Sequence, residues 1–211
     1  MQGIDLQCPS GSLARWLYPT INHLPKHRAY LIPAPDRCTY WRQQFDQLGA
    51  GLKIGFCWRS SLTQGRRRLQ YSTLEEWRPL FEIPHCHFIN LQYDDCSAEL
   101  AQAGQQFGIP LHAYPEVDMH DDLDETAALI QSLDYVVTAG TAVAALAGAL
   151  GVPTWVMSYG KDWTMLGTDH DAFSASLCHV FRESNQNWGD VIAHIAQLLQ
   201  RQSALSSIVT Q

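Results

Sequence analysis

Five short stretches carry side chains that could do chemistry. Arg59, Ser60 and Ser61 follow directly on the apolar run "KIGFCW", and Arg66, Arg67 and Arg68 lie seven residues further on. Gln92, Tyr93 and Asp94 end the run "FINLQYD". The segment "EVDMHDDLDET" gathers Asp118, His120, Asp121, Asp122, Asp124 and Thr126. Gly140 and Thr141 stand between "DYVVT" and the small-residue stretch "AVAALAGALG", which opens on Ala142. The chemistry these share is the holding of an anion. Arginine offers two parallel donors to an oxyanion. A helix that opens on a glycine turn presents oriented N–H groups and a partial positive charge. Each stretch also has a plain alternative. Arg66–Arg68 could be a solvated loop, Gln92–Asp94 a polar turn, and Gly140–Thr141 a simple turn and helix cap.

Other chemistries find less support. The acidic segment matches no calcium loop and lacks a glycine at the required turn, while Asp122 or Asp124 can cap the following helix. No metal is expected. The six cysteines form no C-x-x-C pair and no zinc-like spacing with histidine. This use of cysteine reads as a reducing, cytoplasmic protein without structural disulfides. His85, His87 and His112 read as surface or packing residues. Nothing resembles a Ser-His-Asp triad, a Walker loop or a carboxylate pair on defined elements.

Composition narrows the classes further. The formal net charge of −7 argues against general binding to nucleic acid or anionic membranes. The arginines at 59 and 66–68 run against that sign, as a site for a small anionic ligand would. Charged residues make up only 17% of the chain, below the usual quarter, which hints at a covered face. No apolar run reaches bilayer length, and no signal peptide opens the chain.

The elements that must position these residues follow from periodicity. Residues 1–36 contain prolines at 9, 19, 25, 33 and 35 and read as an extended lead-in, with a short helix in "SLARWLY". A helix is expected over 36–48, capped by Asp36, with Trp41, Phe45 and Leu48 on one face. Strands are expected at 53–58, 87–91, 110–114, 134–138, 153–158 and 178–182, each a continuous apolar run. Helices between them start at Ser72 or Thr73 in a capping box, run through "SAELAQAGQQF" and "DETAALIQSL", and end in an apolar-faced helix over 188–202. Alternation of this kind predicts an α/β fold: a Rossmann-like, doubly wound parallel sheet of about six strands. Ligands of such sheets bind beyond the carboxyl ends of the strands. That rule selects the loops at 59–72, 92–97, 115–124 and 139–141, with 159–173 as a candidate fifth. The helix at 142–150, small all round, reads chiefly as one packed close to the sheet.

The motifs "KIGFCWRSS", "LEEWRPLF", "FINLQYD", "DDLDETAALIQSLDYVVTAGTAVAALAGALGVPTWVM", "DWTML" and "VFRESNQNWGDVIAHIAQLL" occur together in this order. Over residues 50–200 the chain resembles the C-terminal half of glycosyltransferase-B enzymes. It is similar to the heptosyltransferase-like family and to the glycosyltransferase domain that follows tetratricopeptide repeats in bacterial proteins. The resemblance implies one half of a two-lobed enzyme: residues 1–48 as a lead-in and remnant of the acceptor half, 49–202 as the nucleotide-sugar-binding domain, and 203–211 as a flexible tail. It implies a nucleotide diphosphate sugar as donor, no cofactor, and donor contacts from Arg59, Ser60, Ser61, Gln92, Tyr93, Asp124, Thr126, Gly140, Thr141 and Ala142. Members of the family commonly read Asp-Thr at 140–141, with a His four residues after the Thr. This chain has Gly140 and Ala145 there. No catalytic base is evident, so transfer would need a second half or a protein partner. Two rivals remain: a non-catalytic interaction module derived from the same fold, and another Rossmann-like nucleotide binder.

Overall fold

The computed structural model describes the chain apart from residues 1–2, 4–5, 26–28, 62–64, 162 and 210–211, and the side chains of residues 66–67 and 202–209. Strands β1 (Leu52–Cys57), β2 (Cys86–Asn90), β3 (Leu111–His112), β4 (Tyr135–Ala139), β5 (Thr154–Ser158) and β6 (Leu177–Phe181) form one sheet in the order β3-β2-β1-β4-β5-β6. Every described pairing is parallel. The expected six-stranded, doubly wound α/β sheet is therefore present. All carboxyl ends share one edge, and the strand order reverses between β1 and β4.

Alternation along β1 divides the core in two. Ile54 and Phe56 point to one face, where they join Trp77, Leu80 and Phe81 and the inner residues of the last helix. Cys57, Ile89 and Val136 point to the other face, against Trp41, Phe45, Leu129 and Ile130. Period-two alternation in a strand covered on both sides gives this three-layer arrangement. Gly55 sits where β1 packs most tightly. A β-carbon there would lie 2.5 Å from Leu91 Cδ1 and 2.6 Å from Leu133 Cδ1.

The helices are α1 (Ser10–Leu17), α2 (Pro35–Asp46), α3 (Arg78–Phe81), α4 (Ser97–Phe107), α5 (Leu123–Gln131), α6 (Ala142–Leu150) and α7 (Trp188–Val209). Several boundaries differ from expectation for physical reasons. Asp36 does not cap α2. Pro35 takes the first helical position, where its missing N–H costs nothing, and Asp36 falls in the first turn. After β1, a 3₁₀ turn over Leu74–Trp77 precedes α3, entered through a capping box between Thr73 and Glu76. Asp122, and not Asp124, caps α5 by accepting the Glu125 N–H at 3.0 Å. The last helix extends beyond residue 202.

Helix α2 is bound to the sheet's helical layer, not only to the lead-in. Glu125 on α5 accepts from Arg37 through both carboxylate oxygens and from the Trp41 indole at 2.9 Å. The Ser132 hydroxyl donates to the Cys38 carbonyl at 3.2 Å.

Candidate functional site

Parallel pairing brings Cys57 opposite Thr138 and Ala139 opposite Met157, so the turns after β1 and β4 meet at the reversal of strand order. A cavity of about 630 Å³ opens there. Five of the expected donor residues line it: Ser60, Ser61, Tyr93, Thr126 and Ala142. Tyr93 donates its hydroxyl to Ser60 at 2.8 Å, joining the turns after β1 and β2. The Thr126 hydroxyl donates back to the Asp122 carbonyl at 2.8 Å, as threonine does within helices.

One wall of this cavity is apolar. Ala142, Ala145, Leu146 and Ala149 of α6 face it, with Leu123 and Met119 beside them and Tyr30 and Leu31 from the lead-in. The N–H groups of Tyr30 and Leu31 both donate to the Ala149 carbonyl, at 2.9 and 3.1 Å. The α6 residues were legible in part. From Ala142, steps of three, four and seven place them on one helical face. Tyr30 and Leu31 had no sequence signal, since only tertiary contact brings them there.

Helix α6 thus has two roles on two faces. Gly148 lies at its packed side, where a β-carbon would stand 2.6 Å from Ser174 Oγ and 3.0 Å from Leu177 Cγ. Close packing is what the small residues permit on that side. On the other side Ala142 and Ala145 are exposed to the cavity.

Thr141 caps α6, its hydroxyl accepting the Val143 N–H at 3.3 Å. The same hydroxyl lies 3.4 Å from Thr138 Oγ1 and 3.7 Å from Cys57 Sγ. Burial pushes the Cys57 thiol up to about 11, against the lowering pull of both threonine hydroxyls, so it is a neutral packing group. Gly140 is exposed, and a β-carbon there would meet nothing within 4 Å. It lines a smaller, polar cavity of about 140 Å³ with Ser158, Gly160 and Lys161.

Arg59 turns away from both cavities. Its guanidinium pairs with Asp94 and with Glu99, at 3.0 Å for the latter, and stands 5.5 Å from the Trp58 ring centroid. Burial opposes the charged form of Arg59, but the bonds to Asp94 and Glu99 outweigh it and raise its pKa. Gln92 belongs to the same network. Its amide oxygen accepts from the Arg59 N–H at 3.3 Å, and its amide nitrogen donates to Asp94 at 2.6 Å. Asp124 is exposed in the first turn of α5. The expected site is therefore divided. Ser60, Ser61, Tyr93, Thr126 and Ala142 come together, Gly140 and Thr141 stand at the adjoining helix start, and Arg59, Gln92 and Asp124 point elsewhere. The side chains of Arg66 and Arg67, and residue Asp162 of the "DWTML" motif, lie outside the described residues.

Two histidines lie on strands. His112 is half-buried, with Nε2 shielded and without a described partner, and its ring centroid is 5.8 Å from that of His87. Burial, then the neighbouring His87, lowers its pKa. His179, absent from the sequence reading, lies 2.8 Å from Ser158 Oγ. Among the described residues, no group of three His, Cys, Asp or Glu side chains is placed to hold a metal ion, and no helix is long and apolar enough to cross a membrane.

No family model matches the chain. Among curated proteins, protein FlbA of Caulobacter vibrioides is 34% identical over 196 residues, covering 93% of this chain and 33% of FlbA. The chain thus spans about a third of that relative's length. Among solved structures, Escherichia coli ADP-heptose lipopolysaccharide heptosyltransferase II aligns with a TM-score of 0.57 at 16% identity, over 88% of this chain and 59% of its own. Escherichia coli heptosyltransferase WaaC with ADP-2-deoxy-2-fluoro heptose aligns at 0.53 and 14% identity, over 78% of this chain and 47% of its own. The chain also spans less than two thirds of each of these structures. At such identities the likeness concerns architecture, and it establishes that the six-stranded parallel α/β sheet has the Rossmann-like fold found in heptosyltransferases of the glycosyltransferase-B type.

Proposed function

We propose that the chain is the donor-binding half of a two-lobed glycosyltransferase and holds a nucleotide diphosphate sugar at the reversal of strand order. The observation that carries this reading is the cavity that unites Ser60, Ser61, Tyr93, Thr126 and Ala142 from four separate segments. Its position beyond the strand ends is where this fold binds ligands. The diphosphate would lie against the first turn of α6 at Gly140–Ala142, where the Thr141 N–H already donates to the Ala139 carbonyl at 2.7 Å and the Gly140 and Ala142 N–H groups would face the ligand. Ser60 and Ser61 would add hydroxyl contacts. The apolar wall at Ala145, Leu146 and Leu123 suits the face of a base or sugar. Developing charge on the leaving diphosphate would be met by the helix terminus. A base for the acceptor hydroxyl would come from a second half, in the same polypeptide or in a partner. No cofactor beyond the donor is needed, and kinship with domains that follow tetratricopeptide repeats belongs to the same reading.

The test is calorimetry with uridine, guanosine and adenosine diphosphates and their sugars. Saturable binding is expected, retained in Thr141→Ser and weakened in Thr141→Val. Loss of the cap in the valine variant costs about 1 kcal/mol of stability, so both variants are first checked by thermal melting. Failure of every diphosphate to bind at millimolar concentration refutes the reading. One observation favours a second reading, a non-catalytic interaction module. The cation nearest the turn after β1, Arg59, is neutralised by Asp94 and Glu99, while Gly140 and Ala145 stand where the family has acid and imidazole. That reading expects a stable protein partner and no ligand.

A further inference from the structure

The carboxyl end of β5 carries Ser158, and its neighbour β6 carries His179. Register places Ser158 opposite Phe181 and Val156 opposite His179, so Ser158 and His179 are diagonal neighbours on one face of the sheet. The serine hydroxyl lies 2.8 Å from His179 Nδ1. On the far side of the ring, His179 Nε2 is 3.5 Å from Asp171 Oδ2, an ion-pair separation at which Nε2 has no hydrogen-bond partner among the described residues, and the two side chains are only 5% and 3% exposed. The other Asp171 oxygen accepts the N–H groups of Phe173 and Ser174, both at 2.9 Å, which fixes the carboxylate. Burial would raise the pKa of Asp171. The nearby His179 and Thr164 side chains and the Phe173 N–H outweigh it and hold the carboxyl below its usual range. An ionised carboxylate at Nε2 favours the tautomer with its proton there, and leaves Nδ1 free to accept from a hydroxyl.

Ser158 is 8% exposed and lines the polar cavity of about 140 Å³. Gly140 and Gly160 flank it, and a β-carbon on either would meet nothing within 4 Å. The arrangement of nucleophile, base and orienting carboxylate is recognised by roles, not by chain order. Here the imidazole is used in the reversed sense, with Nδ1 toward the serine.

We propose that Ser158 is a nucleophile with His179 as its base and Asp171 as positioning residue, in a second site that takes esters of small acyl groups. As Ser158 Oγ bonds to the ester carbonyl carbon, its proton passes to His179 Nδ1. The bond to the leaving alcohol then breaks, and the alcohol oxygen takes that proton. Water repeats the sequence on the acyl-serine, releasing the acid and restoring the hydroxyl. The small volume sets the acyl size, so acetyl esters are accepted and octanoyl esters are not. This site shares Gly140 with the turn at which the diphosphate was placed, but its chemistry does not rest on donor binding.

The experiment is labelling of the whole chain with a short-alkyl fluorophosphonate, read by intact mass and peptide mapping. A single adduct on Ser158 is expected, absent from Ser158→Ala. His179→Gln should slow labelling about a hundredfold or more, since a positioned base contributes at least that much. Asp171→Asn should move the rise of labelling with pH to lower pH, because the imidazolium loses its carboxylate. A merely structural Asp171 would not move that profile. If His179→Gln or Asp171→Asn fails to fold, a burst of p-nitrophenol from p-nitrophenyl acetate, present in the parent and lost in Ser158→Ala, decides the matter. The proposal is overturned by the absence of any adduct, by an adduct mapped elsewhere, by parent-like labelling of folded His179→Gln, or by no burst from the parent.

Discussion

Replacing Glu125 by alanine tests how α2 is held, and its cost can be worked from the contacts. The carboxylate accepts the Trp41 indole N–H at 2.9 Å and the Arg37 Nε–H at 2.7 Å, with a further bond from the Arg37 terminal nitrogen. The two bonds differ in value. Trp41 is 1% exposed, so losing its acceptor strands a buried donor, at about 1.5–3 kcal/mol for a bond to a charged group. The Arg37 side chain is 42% exposed, so its ion pair is screened and contributes roughly 0.2–1 kcal/mol. Glu125→Ala should therefore destabilise by about 2–4 kcal/mol, or roughly 4–16 °C in Tm for a chain of this size. Glu125→Gln keeps an acceptor for Trp41 and should lose only about a third of that. The bond from Arg37 lowers the Glu125 pKa most, with help from Trp41. A carboxyl with a depressed folded pKa stabilises above its unfolded pKa and loses that contribution as pH falls through the folded value. The gap between parent and Glu125→Gln should accordingly narrow as pH falls below the ordinary glutamate range and close only below the depressed folded value. Thermal melts across pH 3–7 give the result. Equal losses in the two variants, or none in Glu125→Ala, would refute the view that the buried indole bond dominates.

The two glycines of the β4–α6 segment should behave oppositely under chemical denaturation. Gly148→Ala gains about 1 kcal/mol of helix propensity but meets Ser174 and Leu177, and overpacking of about 1–3 kcal/mol leaves it less stable. Gly140→Asp meets open space and should change stability by less than about 0.5 kcal/mol. Alkylation at pH 8 followed by mass mapping should modify exposed Cys8 and spare Cys57, whose thiol burial holds at about 11. Rapid native modification of Cys57 would show that the site end of β1 opens.

Strand positions were legible because each is a continuous apolar run, which a sheet covered on both faces requires. The cavity was legible to the extent that Ser60, Ser61 and Tyr93 sit just beyond strand ends, while Thr126 and Ala142 lie in helices and were expected from the resemblance. Side-chain direction was not. Arg59 follows β1 as expected, yet its guanidinium is drawn to Asp94 and Glu99, 35 and 40 residues on. No local pattern encodes such a pairing. The same holds for Ser158, Asp171 and His179. Their types lie in unremarkable segments, and only the pairing of β5 with β6 makes them neighbours. Asp122 won the cap of α5 over Asp124 because that helix begins a residue earlier than its apolar pattern indicates.

The strand order carries a consequence for how the molecule is made. Strand β1 pairs with β2 on one side and with β4 on the other, and Cys57 meets Thr138 roughly eighty residues later. Until β4 leaves the ribosome, one edge of the apolar segment "KIGFC" has no partner. An open apolar edge invites pairing with other chains. A nascent chain stalled before residue 134 should thus be prone to aggregate, and should become protected once β4 is available. The crevice at the reversal of strand order, formed by the two turns that this pairing brings together, cannot form before β4 does.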